Sequence, residues 1–191
     1  MPHNPVHLIV NAAAFAAHKH RHQTRKNAAR TPYINHPLAL ARILTAEAGL
    51  DDAEVIAAAI LHDTIEDTET TVDELKAEFG ERIASIVAEV TDDKRLPKEE
   101  RKRLQVEHAP HLSREAKLVK LADKIANLRD VDSDPPHKWD TARRLRYFEW
   151  AYEVVAGIRG THVGLEARFD EVFLSGSQRL SPKASGSRSD G

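Results

Sequence analysis

The sequence predicts an all-α protein, on three observations. Alanine and leucine are plentiful while β-branched runs are short. Glycine is scarce, at 8 of 191 residues. No segment alternates apolar and polar residues for the length of a strand, whereas apolar residues recur at spacings of three and four along most of the chain.

Each helix has its own signal. Val6, Val10, Ala13, Ala14 and Ala17 form one stripe, which places a first helix from Pro5 to about Arg21. Pro37 stands where a first-turn proline belongs, and Leu38, Ala41, Ile43 and Leu44 carry that helix to Gly49. Asp51 or Asp52 caps a third, whose Val55, Ala58, Ala59, Ile60 and Leu61 leave almost no polar side. Thr71-Val-Asp-Glu74 is a capping box for a short helix ended by Gly80, and Ile83, Ile86, Val87 and Val90 mark the next. Pro97 opens a highly charged helix that stops before Pro110. Ser113 caps one containing Leu118, Leu121, Ile125 and Leu128. Pro135-Pro136 start a long one through Trp139, Leu145, Phe148, Tyr152 and Val155, closed by Gly157 or Gly160. A last helix runs from Thr161 to about Leu174. The segment Ser175 to Gly191, rich in Ser, Gly and Arg, has too little apolar surface to offset the entropy of ordering and is expected to be a disordered tail. One domain, residues 1–174, followed by that tail is the expected organisation.

Composition narrows the function. A formal net charge of −2 excludes a chain-wide polybasic grip on nucleic acid or on a membrane surface. With no cysteine there is no disulfide framework, thiolate metal site or Cys nucleophile, and a reducing cytoplasm suits the chain. No apolar run approaches the ~20 residues of a membrane helix, and the N-terminus lacks a signal-peptide layout. The charged, punctuated segments Arg21 to Asn35 and Thr91 to Pro97 are candidate walls of a site.

Four pieces carry chemistry. His62-Asp63 is expected inside the most apolar helix, after the run Ala57 to Leu61, where two ionisable residues are costly unless hydrogen-bonded or metal-bound. Glu66 and Asp67 come one turn later, each four residues from His62 or Asp63 and so on the same helix face. His36 stands at a helix entrance. Asp123 lies among apolar neighbours, with Asn127 one turn on. Taken singly, His36 reads as a cap, Asp123 as the partner of Lys120 or Lys124, and Glu66 and Asp67 as a solvated helix end. Together, two imidazoles and two carboxylates suit Mn²⁺, Fe²⁺ or Zn²⁺ better than Ca²⁺. His18, His20 and His22 read as an exposed basic face, and Trp139 and Trp150 as packing.

Arg25-Lys26, Thr31-Pro-Tyr-Ile-Asn-His-Pro37, Leu61-His-Asp-Thr-Ile-Glu-Asp67 and Leu118-Val-Lys-Leu-Ala-Asp-Lys-Ile-Ala-Asn-Leu-Arg129 together resemble the HD-domain hydrolases of the RelA/SpoT homologue family, most nearly the small, stand-alone alarmone hydrolases of the metazoan type. Glu89-Val-Thr-Asp-Asp-Lys94 and the segment Leu96 to Glu107 resemble the same subgroup, and the likeness runs from about residue 5 to about residue 173. It implies a single HD-domain helical bundle binding one Mn²⁺ through His36, His62, Asp63 and Asp123. It also implies hydrolysis of the 3′-pyrophosphate of guanosine tetra- or pentaphosphate to GDP or GTP and pyrophosphate. An HD phosphohydrolase acting on another nucleotide, such as NADPH at its 2′-phosphate or a deoxynucleotide, is a second enzymatic reading, and a non-catalytic alarmone sensor is a reading of another class. Glu66 and Asp67 match the acidic pair near the attacking water, either of which can take its proton. Arg25, Lys26 and Asn127 match nucleotide contacts, Tyr33 is placed to stack on a base, and Lys98 and Arg143 fall in charged segments that the family uses. Asn27-Ala28-Ala29-Arg30 and Thr24 depart from the pattern, in which an Asp and a Gly precede Thr-Pro-Tyr and an Arg is common at the position of Thr24.

Overall fold

A computed structural model describes residues 4–181. Among them the chain is helical throughout, and its one β-bridge, Thr24 with Pro32, is isolated. No helix among them is long and apolar enough to cross a membrane.

The helices are α1 (Pro5–Lys19), α2 (Asn35–Arg42), α3 (Ala53–Leu61), α4 (Thr64–Asp67), α5 (Val72–Phe79), α6 (Glu81–Val90), α7 (Lys98–His108), α8 (Arg114–Ser133), α9 (Thr141–Ala156) and α10 (Val163–Leu180). Caps start several of them. Asp52 accepts from the Glu54 and Val55 amides, Thr71 from Glu74 and Ser113 from Ala116. Gly80, at φ +87°, turns α5 into α6 in a left-handed conformation that a side chain would strain. α2 runs into one wide π-type turn, Ile43–Glu47, before Gly49 ends the segment.

α3 and α8 form the centre. Every residue from Val55 to Leu61 is buried, and α1, α2, α6 and α8 pack around α3. α8 buries residues on both sides, against α2, α3 and α6 and against α9 and α10. At ~25 cal/mol per Å² of apolar area, burial along this pair of helices is a large share of the driving force for folding. α7 differs: it has no buried residue and leans on α9 through polar contacts such as Trp150 Nε1–H to the Lys102 carbonyl, 3.1 Å.

Three expectations are corrected. α9 begins at Thr141, because Asp140 caps it through the Arg143 amide at 2.7 Å, while Pro135-Pro136 lies in the preceding loop. A residue before proline avoids helical angles, so Pro135 cannot open a helix. The apolar third helix stops at Leu61; Asp63, at φ −97° and ψ −1°, breaks it from α4. The last helix runs past Leu174, so Ser175 to Leu180 is helical rather than tail. Leu180 is buried, Arg179 forks onto Asp132, and Gly176 lies flat on Phe148. The rest of the expected tail lies outside the described residues.

A Cβ at Gly176 would fall 2.4 Å from Phe148 Cε1. Gly176→Ala should therefore destabilise the fold by about 1–3 kcal/mol, read in urea unfolding, despite alanine's better helix propensity; an unchanged midpoint would show that this helix end does not pack. Arg129 donates two hydrogen bonds of 2.7 Å to Glu47, holding that carboxyl below its usual range against the opposing effect of burial. A lowered folded pKa stabilises above the unfolded value, near 4.3, and the benefit is lost as pH falls through the folded one. Glu47→Gln should lose about 1–2 kcal/mol at pH 7, with the two unfolding curves converging below about pH 4.

Candidate active site

Three helices bring the titratable pieces to one point. His36 is the second residue of α2, His62 and Asp63 leave the C-terminus of α3, and Asp123 sits midway along α8. Their mutual packing makes the meeting unavoidable. Ligand atoms of His36, His62 and Asp123 lie within 4.8 Å of one another. His36 Nε2 is 3.3 Å from Asp123 Oδ1 and 4.0 Å from Asp63 Oδ2. His62 Nε2 is 3.9 Å from Asp123 Oδ1 and 3.0 Å from Asp63 Oδ2, the latter outside the angle that a ring hydrogen bond requires.

The donor set fits a divalent cation on its own geometry. His62 Nδ1–H donates to the Ala59 carbonyl at 2.8 Å, which leaves the Nε2 lone pair facing carboxylates, buried and without a hydrogen bond. An acceptor turned toward acceptors is repulsive unless a cation or a proton lies between them. The electrostatics agree. Burial opposes charging of His62, but Asp63 and then Asp123 outweigh it and raise the imidazole to about 8. Burial pushes Asp63 up, yet His62 and His36 hold it well below the usual carboxylate range. Asp123 is likewise held low against burial, by Lys124 first and His36 next.

Further residues orient this cluster. Asn127 Nδ2 donates to Asp123 Oδ1 at 2.6 Å, while its carbonyl accepts from Arg25 at 3.1 Å. Asn127, expected on a nucleotide, thus spends both ends of its amide within the fold. Arg25 is also bound to Asp130 at 2.5 Å. Tyr33, expected to stack, sends its hydroxyl between two carboxylates: it bonds to Asp63 and lies 3.1 Å from Asp67 Oδ2. The other Asp67 oxygen pairs with Lys94. Glu66 is placed differently. Burial pushes it up to about 7, against a hydrogen bond of 3.1 Å from the Asp92 amide.

A cleft of about 500 Å³ opens over the cluster, and Lys26, Lys98 and Arg143 line it. Burial and then Arg143 lower the Lys98 pKa. Trp139, read from the sequence as packing, lies between them, with the Arg143 guanidinium 4.7 Å and Lys98 Nζ 5.9 Å from its ring. An adjoining cavity of about 660 Å³ is walled by the loop from residue 22 to residue 33. Asn27 ties that loop by accepting from the Thr31 amide at 3.1 Å and donating to Asp134 at 2.5 Å, and Arg30 takes a left-handed φ of +50°. His20, read as exposed, is buried against the Tyr33 ring.

Lys124, read from the sequence as a partner of Asp123, lies 3.2 Å from it. Sequence reasoning missed Arg101 and Lys94 as site residues; for Arg101, one helical turn after Lys98, that spacing was the available signal.

The HD-domain family model matches residues 12–147. The guanosine-3′,5′-bis(diphosphate) 3′-pyrophosphohydrolase MESH1 of Xenopus tropicalis is 58% identical over 167 residues, 87% of this chain and 93% of its own length. The human protein of that name is 57% identical over 165 residues, 86% and 92% respectively. A solved structure of a metazoan ortholog of SpoT that hydrolyses ppGpp and plays a role in starvation responses has a TM-score of 0.85 at 46% identity. That likeness covers 88% of this chain and 94% of the other.

Tyr33→Phe keeps the ring and removes the hydroxyl that holds Asp63. It should weaken Mn²⁺ binding roughly 10-fold in calorimetric titration; an unaltered Kd would show that Tyr33 does not orient the cluster.

Proposed function

Because the chain belongs to the HD-domain family, and within it to the guanosine-3′,5′-bis(diphosphate) 3′-pyrophosphohydrolases, we infer that it hydrolyses ppGpp and pppGpp to GDP or GTP and pyrophosphate. The observation that carries this reading is a buried His-His-Asp cluster under a cleft lined by cations, with a carboxyl of raised pKa beside it.

His36, His62, Asp63 and Asp123 are proposed to hold Mn²⁺. A divalent ion there supplies Lewis acidity, offsetting phosphoryl charge and acidifying water. Everything else falls to the chain's own residues. Glu66 suits the general base: a carboxyl near 7 is ionised often enough to accept a proton and basic enough to hold it. Asp67 suits it less, since Lys94 and Tyr33 occupy its oxygens. Asp67 instead steadies Tyr33 and the loop that bears it. Lys26, Lys98 and Arg143 offer charge to substrate phosphates, and Trp139 gives a flat apolar surface beside them. Arg25 and Asn127 act in part through Asp123, which they hold in place.

Metal-stripped protein incubated with ppGpp should yield GDP and pyrophosphate once Mn²⁺ is added. Asp63→Asn should lose both Mn²⁺ affinity and turnover, the latter by at least ~100-fold. Glu66→Gln should lower kcat roughly 10²- to 10⁴-fold with nucleotide binding retained. Orthophosphate released from NADPH with ppGpp untouched would overturn the substrate assignment, and ppGpp bound without product would mark a sensor.

A further inference from the structure

Arg101, on α7, is a cation in the cleft that the fold holds only through two long ion pairs. Its side chain is only 25% exposed, yet among the described residues its guanidinium donates no hydrogen bond. Nη1 stands 3.5 Å from Glu66 Oε1 and 4.0 Å from Asp92 Oδ2, beyond the reach of an N–H···O bond. Nε is buried without a partner.

Each of these carboxylates has a donor besides Arg101. Glu66 Oε2 accepts from the Asp92 amide, and Asp92 Oδ2 accepts from Gln105 at 2.7 Å. The neighbouring lysines are spent, Lys120 on the Val90 carbonyl and Lys124 on Asp123 and Gln105. Arg25 and Arg129, by contrast, are fastened to acids. A partly buried guanidinium with unmade bonds is costly, and its planar fork fits the oxygens of a phosphate.

Position says which phosphate. The 660 Å³ loop cavity and the 500 Å³ cleft share Tyr33 and His36, so a ligand lying across both passes over the His-Asp cluster. Arg101 lines only the second of these, together with His62, Asp63 and Asp123, which the loop cavity lacks. Resting on the reading of the site as a 3′-pyrophosphohydrolase, we propose that Arg101 binds the outer phosphate of the 3′-diphosphate and selects a diphosphate over a single phosphate at the scissile position. In the reaction, the water oxygen joins the inner phosphorus. The bond from that phosphorus to ribose O3′ breaks, and its electron pair stays on O3′. The proton that O3′ takes up balances the one Glu66 accepts. The outer phosphate makes and breaks no bond, so Arg101 acts by binding and by offsetting charge.

The test compares wild type, R101Q and R101K. Each is titrated calorimetrically with inorganic pyrophosphate and with orthophosphate at one fixed Mn²⁺ concentration, so that chelation cancels between proteins. Each is also assayed on ppGpp and on guanosine 5′-diphosphate 3′-monophosphate. R101Q should weaken pyrophosphate binding roughly 10- to 100-fold while orthophosphate changes less than about twofold. The ratio of kcat/KM for the 3′-diphosphate over the 3′-monophosphate should fall by a similar factor, and R101K should recover part of it. Melting temperatures should stay level, since the side chain makes no hydrogen bond. Equal loss on both ligands would make Arg101 a positioning residue for Glu66, and no loss on either would make it a spectator; both overturn the proposal. Wild type that releases nothing from ppGpp would overturn the hydrolase reading instead, and the two titrations would still decide the role of Arg101.

Discussion

Two imidazoles and two carboxylates share the mostly buried floor of a cleft where their lone pairs face one another, and this is the constraint around which the molecule is arranged. Left to themselves such groups repel, and the interior offers little water to separate them. The fold holds them through covalent continuity with its most apolar helices: the end of α3, the middle of α8 and the start of α2. Moving any one of the four would mean moving a helix whose burial stabilises the whole chain. The same rigidity aims His62, whose Nδ1 is tied to Ala59 so that its other nitrogen looks inward.

Around this cluster the polar groups divide into the occupied and the free. Asn127, Tyr33 and Asp67 have their bonding capacity taken up inside the protein. Glu66 keeps basicity because it is buried with only one backbone donor and a loosely placed guanidinium. That asymmetry between adjacent carboxylates suits acid–base chemistry, because one environment favours a proton acceptor and the other a fixed charge. The cations of the cleft wall face the acidic floor across a space sized for a nucleotide's phosphates.

Most of the fold was legible because its signals are local. Asp52, Thr71 and Ser113 each cap the helix they precede, and Gly80 has the positive φ that a sharp turn demands. Errors arose where long-range packing overrules composition. Ser175 to Leu180 looks soluble and featureless, yet Gly176 there is the residue that lets α10 close on Phe148. At the site, His62-Asp63 announced itself by being polar after an unbroken apolar run. The hydroxyl of Tyr33 did not, since a contact across thirty residues leaves no periodic trace. Trp139 packs against the core as expected, but its place between Lys98 and Arg143 depends on where the loop before α9 lands.

α7 carries Lys98, Arg101 and Lys102 into the cleft while burying none of its own residues. Drift at its cleft-facing residues therefore disturbs the folding free energy little, whereas the alanines and isoleucines of α3 admit little change of volume. Selectivity and stability are thus written on separate helices, and a lineage could retune which phosphoesters it accepts by rewriting one while the other stays under purifying constraint.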